Sequence, residues 1–271
     1  MIIIAEKLNG SIPSCGRAIA ERDIEYIKDL AKRQADAGSD FIDCCASVKE
    51  GELETLKWMI DAIQSVTDCP ISVDSPDVRV IIEAMAFCDR PGLFNSVSDE
   101  GDKIDIAFPI LAKPTSCKWE IMALLCDDTG IPKTAEKRIE IFERIINKAK
   151  EYGIEESRIH IDPLIEMLCT TDDGEGAFKV LDVMKHIKSA NPKVHISGGI
   201  SNISYNLPAR KLVNQAFAVL AVSAGMTSAV LDPLSQDLRG MIYAAEIMMG
   251  LDDLCVEYTT AYRKGIFGTK K

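Results

Sequence analysis

Short apolar runs alternate with longer amphipathic stretches along the whole chain. The runs are Ile2–Ala5, Phe41–Cys44, Ile71–Val73, Gly92–Phe94, Ile121–Leu125, Ile159–Ile161, Val194–Ser197 and Ala229–Leu231. Helical patterns fill the intervals, over Asp23–Ala37, Glu52–Thr67, Val78–Phe87, Lys103–Ala112, Thr134–Tyr152, Gly176–Ser189, Lys211–Ala224 and Leu238–Met249. A strand-then-helix unit recurring about every 30 residues is the signature of repeated βα units. Gly38 and Gly153 fall where helices end, where a glycine takes positive φ at little cost. Eight units predict a closed (β/α)8 TIM barrel. The open doubly wound alternative lacks support in its dinucleotide form, because no Gly-x-Gly-x-x-Gly turn follows the first strand.

The 271 residues exceed a usual domain, but barrels of this class run to about 250 residues as one unit. No Ser/Gly-rich linker or low-complexity tract interrupts the alternation, so residues 1–271 are expected to form a single domain. The 47% hydrophobic and 27% charged content is that of an ordinary globular chain. A net charge of −11 excludes nucleic acid as a partner, since a polyanion needs a basic face. It also disfavours an electrostatic membrane partner. The apolar start Met1–Ala5 is followed at once by Glu6 and Lys7, so neither a signal peptide nor a membrane span is expected, and the chain is expected in the cytoplasm. Nine cysteines, an odd number without C-x-x-C spacing, are read as reduced thiols. The adjacent Cys44 and Cys45 would face opposite sides of a strand and could not share one metal.

In barrels of this class side chains converge at the C-terminal ends of the strands. Those ends are polar here: Glu6, Lys7 and Asn9, then Asp43, Asp74 and Ser75, Asn95 and Ser96, Asp127 and Asp128, Asp162, Ser201 and Asn202, and Asp232. One or two such residues would be helix caps, but a polar residue at nearly every end is more than capping requires. The set is rich in Asp and Asn and has one histidine near a strand end, His195. That composition argues against a catalytic zinc or a Ser-His-Asp triad, so no intrinsic metal is expected. A carboxylate instead accepts two parallel N–H bonds from an amidine-like edge, such as the 2-amino and N3–H groups of a pterin. Asn supplies both a donor and an acceptor for the neighbouring carbonyl and ring nitrogens.

Six segments carry a family resemblance: Ala5–Gly10 (A-E-K-L-N-G), Val73–Ser75 (V-D-S), Asn95–Ser96 (N-S), Thr129–Pro132 (T-G-I-P), Ile161–Ile165 (I-D-P-L-I) and Gly199–Ser204 (G-I-S-N-I-S). In this order and placement, the chain resembles the methyltetrahydrofolate:corrinoid protein methyltransferases of the pterin-binding barrel family, which also includes dihydropteroate synthase. The resemblance implies that Asp74, Asn95 and Asp162 bind the pterin, with Ser96, Glu6 and Asn9 beside them. It implies that Asn202 hydrogen-bonds N5, the nitrogen that carries the methyl group, and that Arg210 lies near the anionic tail of the folate. An amide cannot supply a proton at neutral pH, so Asp43, Asp74 and Asp162 are the candidates for proton exchange. Tetrahydrofolate or 5-methyltetrahydrofolate would be the substrate. Cobalamin or another corrinoid would be carried by a separate corrinoid protein, since no D-x-H-x-x-G motif is present. A homodimer is also implied.

The chain departs from the family pattern at Lys7, where relatives have Arg, at Ile42–Cys45 in place of L-D-L-N, and at Asp127–Asp128 in place of Asn-Lys. Some relatives pass methyl from a methylated corrinoid protein to tetrahydrofolate, and the direction is left open at this level. Two other readings compete. A dihydropteroate synthase would carry an S-T-R-P loop and a terminal R-x-H motif, which are absent. A non-catalytic folate-binding protein would share the pocket without the transfer.

Overall fold

The computed structural model describes residues 1–170 and 177–268. Among these, eight parallel strands form a barrel: β1 (Ile2–Asn9), β2 (Phe41–Cys45), β3 (Ile71–Asp74), β4 (Leu93–Asp99), β5 (Glu120–Asp127), β6 (Ile159–Asp162), β7 (His195–Ile196) and β8 (Ser228–Leu231). Each pairs with its sequence neighbour, and β8 returns to β1. The ring closes between β7 and β8 through Thr227 N to Ile196 O and Val230 N to Gly198 O, both 3.0 Å. The expected TIM barrel is therefore observed.

The helices around it are α1 (Pro13–Ala20), α2 (Ile24–Asp36), α3 (Glu52–Gln64), α4 (Val78–Ala84), α5 (Lys103–Leu111), α6 (Ala135–Glu151), α7 (Phe178–Ala190), α8 (Arg210–Ser223), α9 (Gln236–Met248) and α10 (Val256–Arg263). Side-chain caps fix several starts. Asp23 accepts from Tyr26 N at 3.1 Å, Asp77 from Arg79 N at 2.9 Å and Thr134 from Lys137 N at 3.2 Å. Gly38 and Gly153 take φ of 78° and 70° at their helix ends, as expected. The expected start of the seventh helix at Gly176 lies outside the described residues. Two helices, α1 and α10, were not anticipated. Both have eight residues, too few for a clear apolar periodicity.

Apolar side chains fill two regions. Ile4, Phe41, Leu93 and Met122 pack inside the barrel, while Leu56, Ile60, Phe108, Ile141 and Phe142 belong to the larger core under the helices. The opposite end of the barrel from the expected site is polar. Buried His160 bonds Ser228 Oγ through Nδ1 at 2.9 Å and Glu120 through Nε2, and it stacks on His195 at 4.8 Å.

Two strands run past the expected ends because each takes an extra residue. Between Ala5 and Leu8 β1 shifts register on β2, and between Asn95 and Val97 β4 shifts on β5. Such bulges re-aim side chains at a barrel rim. Here they set Glu6 and Lys7 on one strand and Ser96 on the other. Just beyond β1, a Cβ on Gly10 would meet Ala46 O at 2.1 Å, so glycine alone lets this loop lie against the end of β2.

Candidate functional site

The C-terminal ends of β2, β3 and β4 bring Asp43, Asp74 and Asn95 to adjacent positions, since Cys45 pairs with Asp74 and Asp74 with Asn95 in register. Asp43 is buried on β2 and receives two bonds on the same oxygen: Ser72 Oγ donates at 2.5 Å and Asn95 Nδ2 at 3.0 Å. Burial, reinforced by the charge of Asp74, pushes the Asp43 carboxyl well above the usual carboxylate range, against the pull of Ser72 and Asn95. Asp43 is therefore the member of the pair that keeps its proton. Asp74 is raised to about 6, chiefly by burial, with hydrogen bonds from Cys45 and Asp43 drawing it back and the charge of Glu52 adding to the rise. The proton on Asp43 thus supports an ionised Asp74.

Asp162 ends β6. Its Oδ1 accepts from Leu164 N at 2.7 Å, so it forms the turn at Pro163 and still keeps a second carboxylate oxygen. Burial lifts it to about 6, opposed by the Leu164 amide and by Arg138. Gly198 takes φ of 151°, and a Cβ there would sit 2.6 Å from Ile165 Cδ1 and 3.3 Å from Asp162 Oδ1. A glycine is needed for β7 to turn this closely past Asp162.

From that turn the chain enters a short 3-10 helix, Ile200–Ser204, which carries Asn202. Asn202 is exposed, and its side chain makes no hydrogen bond among the described residues. The turn around it is well held. Ser201 Oγ donates to Glu6 Oε2 at 3.0 Å, and Arg210 donates from Nη2 to Ser201 O at 2.8 Å and from Nε to Ser204 Oγ at 3.1 Å. Glu6 is raised by burial, with Lys7 and Ser201 opposing. Lys7 in turn lies 3.1 Å from Asp232 of the loop after β8, so the first and last strands are joined by charge at the mouth.

Other expected residues stand apart from this convergence. Asn9 Oδ1 is engaged with Ser11 N at 2.9 Å, Ser11 Oγ at 2.6 Å and Ser47 Oγ at 3.3 Å, which stitches the β1 and β2 loops together. Ser96, half-buried in its bulge, makes no side-chain hydrogen bond among the described residues. Asp127 turns outward to α6, pairing with Arg144 at 2.8 Å and Lys137 at 3.2 Å, and its carboxyl is held low, first by the Thr129 hydroxyl. Asp128 caps the Gly101 amide at 2.8 Å. Ser72, Cys45 and Glu52 were missed from sequence. Ser72 lies mid-strand, and the influence of the other two on Asp74 depends on strand pairing. Among the described residues no group of three or more His, Cys, Asp or Glu side chains is arranged to hold a metal ion.

Residues 8–232 match the family described as pterin binding enzyme. The methylcorrinoid:tetrahydrofolate methyltransferase of Eubacterium limosum is 45% identical over 271 residues, covering 99% of this chain and 98% of its own. A methionine synthase of Mycobacterium leprae (strain TN) is 27% identical over 242 residues, and this match spans 85% of the chain but 20% of that protein. Among solved structures, a dihydropteroate synthase of Coxiella burnetii in complex with pteroic acid superposes with a TM-score of 0.66 at 20% identity, covering 93% of this chain and 94% of that one. At that identity the likeness concerns the fold.

Proposed function

Since this chain belongs to the pterin binding enzyme family, we propose that it is a methyltransferase that passes a methyl group from a methylated corrinoid, carried by a separate protein, to N5 of tetrahydrofolate. The observation that carries this reading is the near full-length 45% identity to a methylcorrinoid:tetrahydrofolate methyltransferase. In the same reading the chain is one barrel domain that acts in the cytoplasm as a homodimer, as the family resemblance of its strand ends implies. No helix among the described residues is long and apolar enough to cross a membrane.

In this reading Asp74 and Asp162 accept N–H bonds from the pterin edge. Asn95 gives one of its two amide N–H groups to Asp43, which leaves its oxygen and a second N–H for the ligand. Asp43 is a positioning residue, because its proton serves Asp74. The corrinoid is a co-substrate whose carbon–cobalt bond breaks with the electron pair returning to cobalt. N5 attacks the methyl carbon, positive charge builds on N5, and its proton must leave. The amide oxygen of Asn202 accepts the N5–H bond as that charge grows, an interaction stronger in the transition state than in the bound substrate. That proton leaves N5 to solvent, because a carboxylate engaged with the 2-amino and N3–H edge lies across the ring from N5. Arg210 fixes the Asn202 turn through Ser201 and Ser204, and its exposed guanidinium supports a further role toward the anionic tail of the folate.

The test runs the transfer in reverse, with 5-methyltetrahydrofolate and free cob(I)alamin under anaerobic conditions. Formation of methylcobalamin and tetrahydrofolate is expected. Binding of 5-methyltetrahydrofolate without any transfer would overturn the reading in favour of a non-catalytic folate-binding protein.

A further inference from the structure

Arg138 of α6 is buried at 2% exposure, so its guanidinium has given up water for what the protein offers it. That offer is small. Nη2 donates to Glu166 Oε2, whose side chain is 42% exposed, and Nε has no hydrogen-bond partner among the described residues. One half-solvated carboxylate does not balance a buried permanent charge, and an apolar side chain of the same volume would serve the packing at least as well. A buried charge kept under these conditions is explained by what it acts on.

Its surroundings supply that explanation. Glu166 lies on the loop that begins at Asp162, the carboxylate at the end of β6. Along this loop Asp162 Oδ1 accepts from Leu164 N at 2.7 Å, and Leu164 holds a φ of 63°, a left-handed conformation that leucine rarely adopts. Ile165 is buried, and a Cβ on Gly198 would lie 2.6 Å from its Cδ1, so the loop is pressed against the β7 turn. Arg138 therefore clamps the far end of the segment that aims Asp162. It also faces Asp162 electrostatically. The neighbours of Asp162 on the adjoining strands carry no charge: Leu124 pairs with it from β5, and the β7 turn brings Ser197 and Gly198. Asp127, further along β5, turns outward to Arg144 and Lys137, and Lys179 of α7 donates to Lys133 O. Burial favours the neutral form of Asp162, and Arg138 is the charge that opposes it. Glu166 offsets little of this, because water screens a half-exposed carboxylate far more than a buried guanidinium.

We propose that Arg138 is the positioning residue for Asp162: its buried positive charge favours the carboxylate form, and its bond to Glu166 holds the loop that presents this carboxylate to the pterin. The inference rests on the assignment of Asp162 to the pterin edge proposed above and adds the residue that prepares it. A neutral Asp162 would present a proton to the pterin N–H groups on one of its oxygens, so the charge of Arg138 bears directly on binding.

The experiment titrates the full, ligand-free chain by NMR with aspartate labelled at the carboxyl carbon, and Asp162→Asn identifies the Asp162 signal by its loss. Far-UV circular dichroism checks the folding of each variant. The wild-type midpoint is expected at about 6. Arg138→Gln, which keeps an N–H donor and removes the charge, should raise it by about one pH unit, the effect of losing an opposite charge at close range. Arg138→Lys, which keeps the charge, should restore a midpoint near the wild-type value. Arg138→Met combined with Glu166→Gln removes both charges together and strands neither, which favours a folded variant, and its midpoint should rise as well. Affinity for 5-methyltetrahydrofolate follows the same shift: Arg138→Gln should bind nearly as well as wild type at pH 8 and about fivefold more weakly at pH 6. An unchanged Asp162 midpoint in the folded charge-removing variants overturns the inference, and a loss of affinity equal at both pH values then marks Arg138 as structural only. A raised midpoint with wild-type affinity at both pH values leaves Arg138 acting on Asp162 and overturns instead the assignment of Asp162 to the pterin.

Discussion

Asn95 Nδ2 lies 3.0 Å from Asp43 Oδ1, joining residues 52 apart in sequence across the ends of β4 and β2. With Ser72 donating to the same oxygen, the other oxygen of Asp43 is left to carry the proton that supports Asp74. An asparagine reproduces this pattern, with its oxygen accepting from Asn95 and Ser72 and its amide donating to Asp74. Asp43→Asn is therefore expected to keep folate affinity within about tenfold of wild type. Asp43→Ala leaves two buried donors unpaired and should cost about 1–3 kcal/mol of stability. Calorimetry and urea unfolding measure the two. A loss of transfer in Asp43→Asn as large as that in Asp43→Ala would show that Asp43 acts as an acid rather than as a support.

Asp74 and Asp162 are assigned to binding. Removing either side chain should weaken tetrahydrofolate by about 2–5 kcal/mol, the loss typical of one partner of a buried charge-assisted pair. The same assignment sets a pH dependence. Each accepts N–H bonds as a carboxylate, and each is raised to about 6, so affinity should be constant above that value and fall by up to about tenfold per pH unit per group below it. Titration calorimetry from pH 5 to 8 with 5-methyltetrahydrofolate checks this. Affinity that is flat across the range would remove both carboxylates from the pterin edge.

The raised Asp162 also acts on the ligand-free fold. Its carboxyl moves from 3.8 in the unfolded chain to about 6, so the folded state holds its proton over that window and the unfolded state does not. Stability then declines as pH rises from about 4 to 6, and the full penalty, on the order of 3 kcal/mol, stands above 6. Asp162→Asn removes the charge and keeps an oxygen for Leu164 N. The variant should melt higher than wild type at pH 8, by several degrees, with the gap closing near pH 4. An equal shift at both pH values would mean that charge burial is not the cause.

Asn202 is exposed, with no side-chain hydrogen bond among the described residues, on a turn that Glu6 and Arg210 hold, and the proposed reading assigns it to N5. Asn202→Ala should slow single-turnover transfer at saturating folate by roughly 100-fold while changing folate affinity much less. Stopped-flow spectroscopy of the corrinoid separates the rate from the affinity. An unchanged rate would leave Asn202 as an anchor only.

Much of this was legible in the sequence because strand ends in a barrel are set by where apolar runs stop. Asp74, Asn95 and Asp162 each follow directly on such a run, and the structure brings Asp74 and Asn95 into register and sets Asp162 at the same rim. The strand ends that turn away from this rim share a cause. Asn9 and Asp127 also end strands, yet one serves its own turn and the other pairs with α6. Composition cannot distinguish inward from outward once a bulge or a register shift has intervened, as both strands show. Ser72 was hidden for the opposite reason, since it sits within a run that reads as core. Arg210 was expected to face the folate tail, and the two bonds that tie it to the Asn202 turn depend on a 3-10 helix that five residues do not announce.

The closure of the barrel has a kinetic consequence. Seven of the eight junctions around the ring are strand ladders, whereas β7, two residues long, has only two backbone hydrogen bonds to β8 among the described residues, those of the Thr227 and Val230 amides with a single bridge at Gly199, beside side-chain bonds from His195, Ile196 N and Ser197 to Thr227 and Ser228. Local opening there breaks few bonds, so in native-state hydrogen exchange the Thr227 and Val230 amides should exchange well ahead of those shared by β4 and β5.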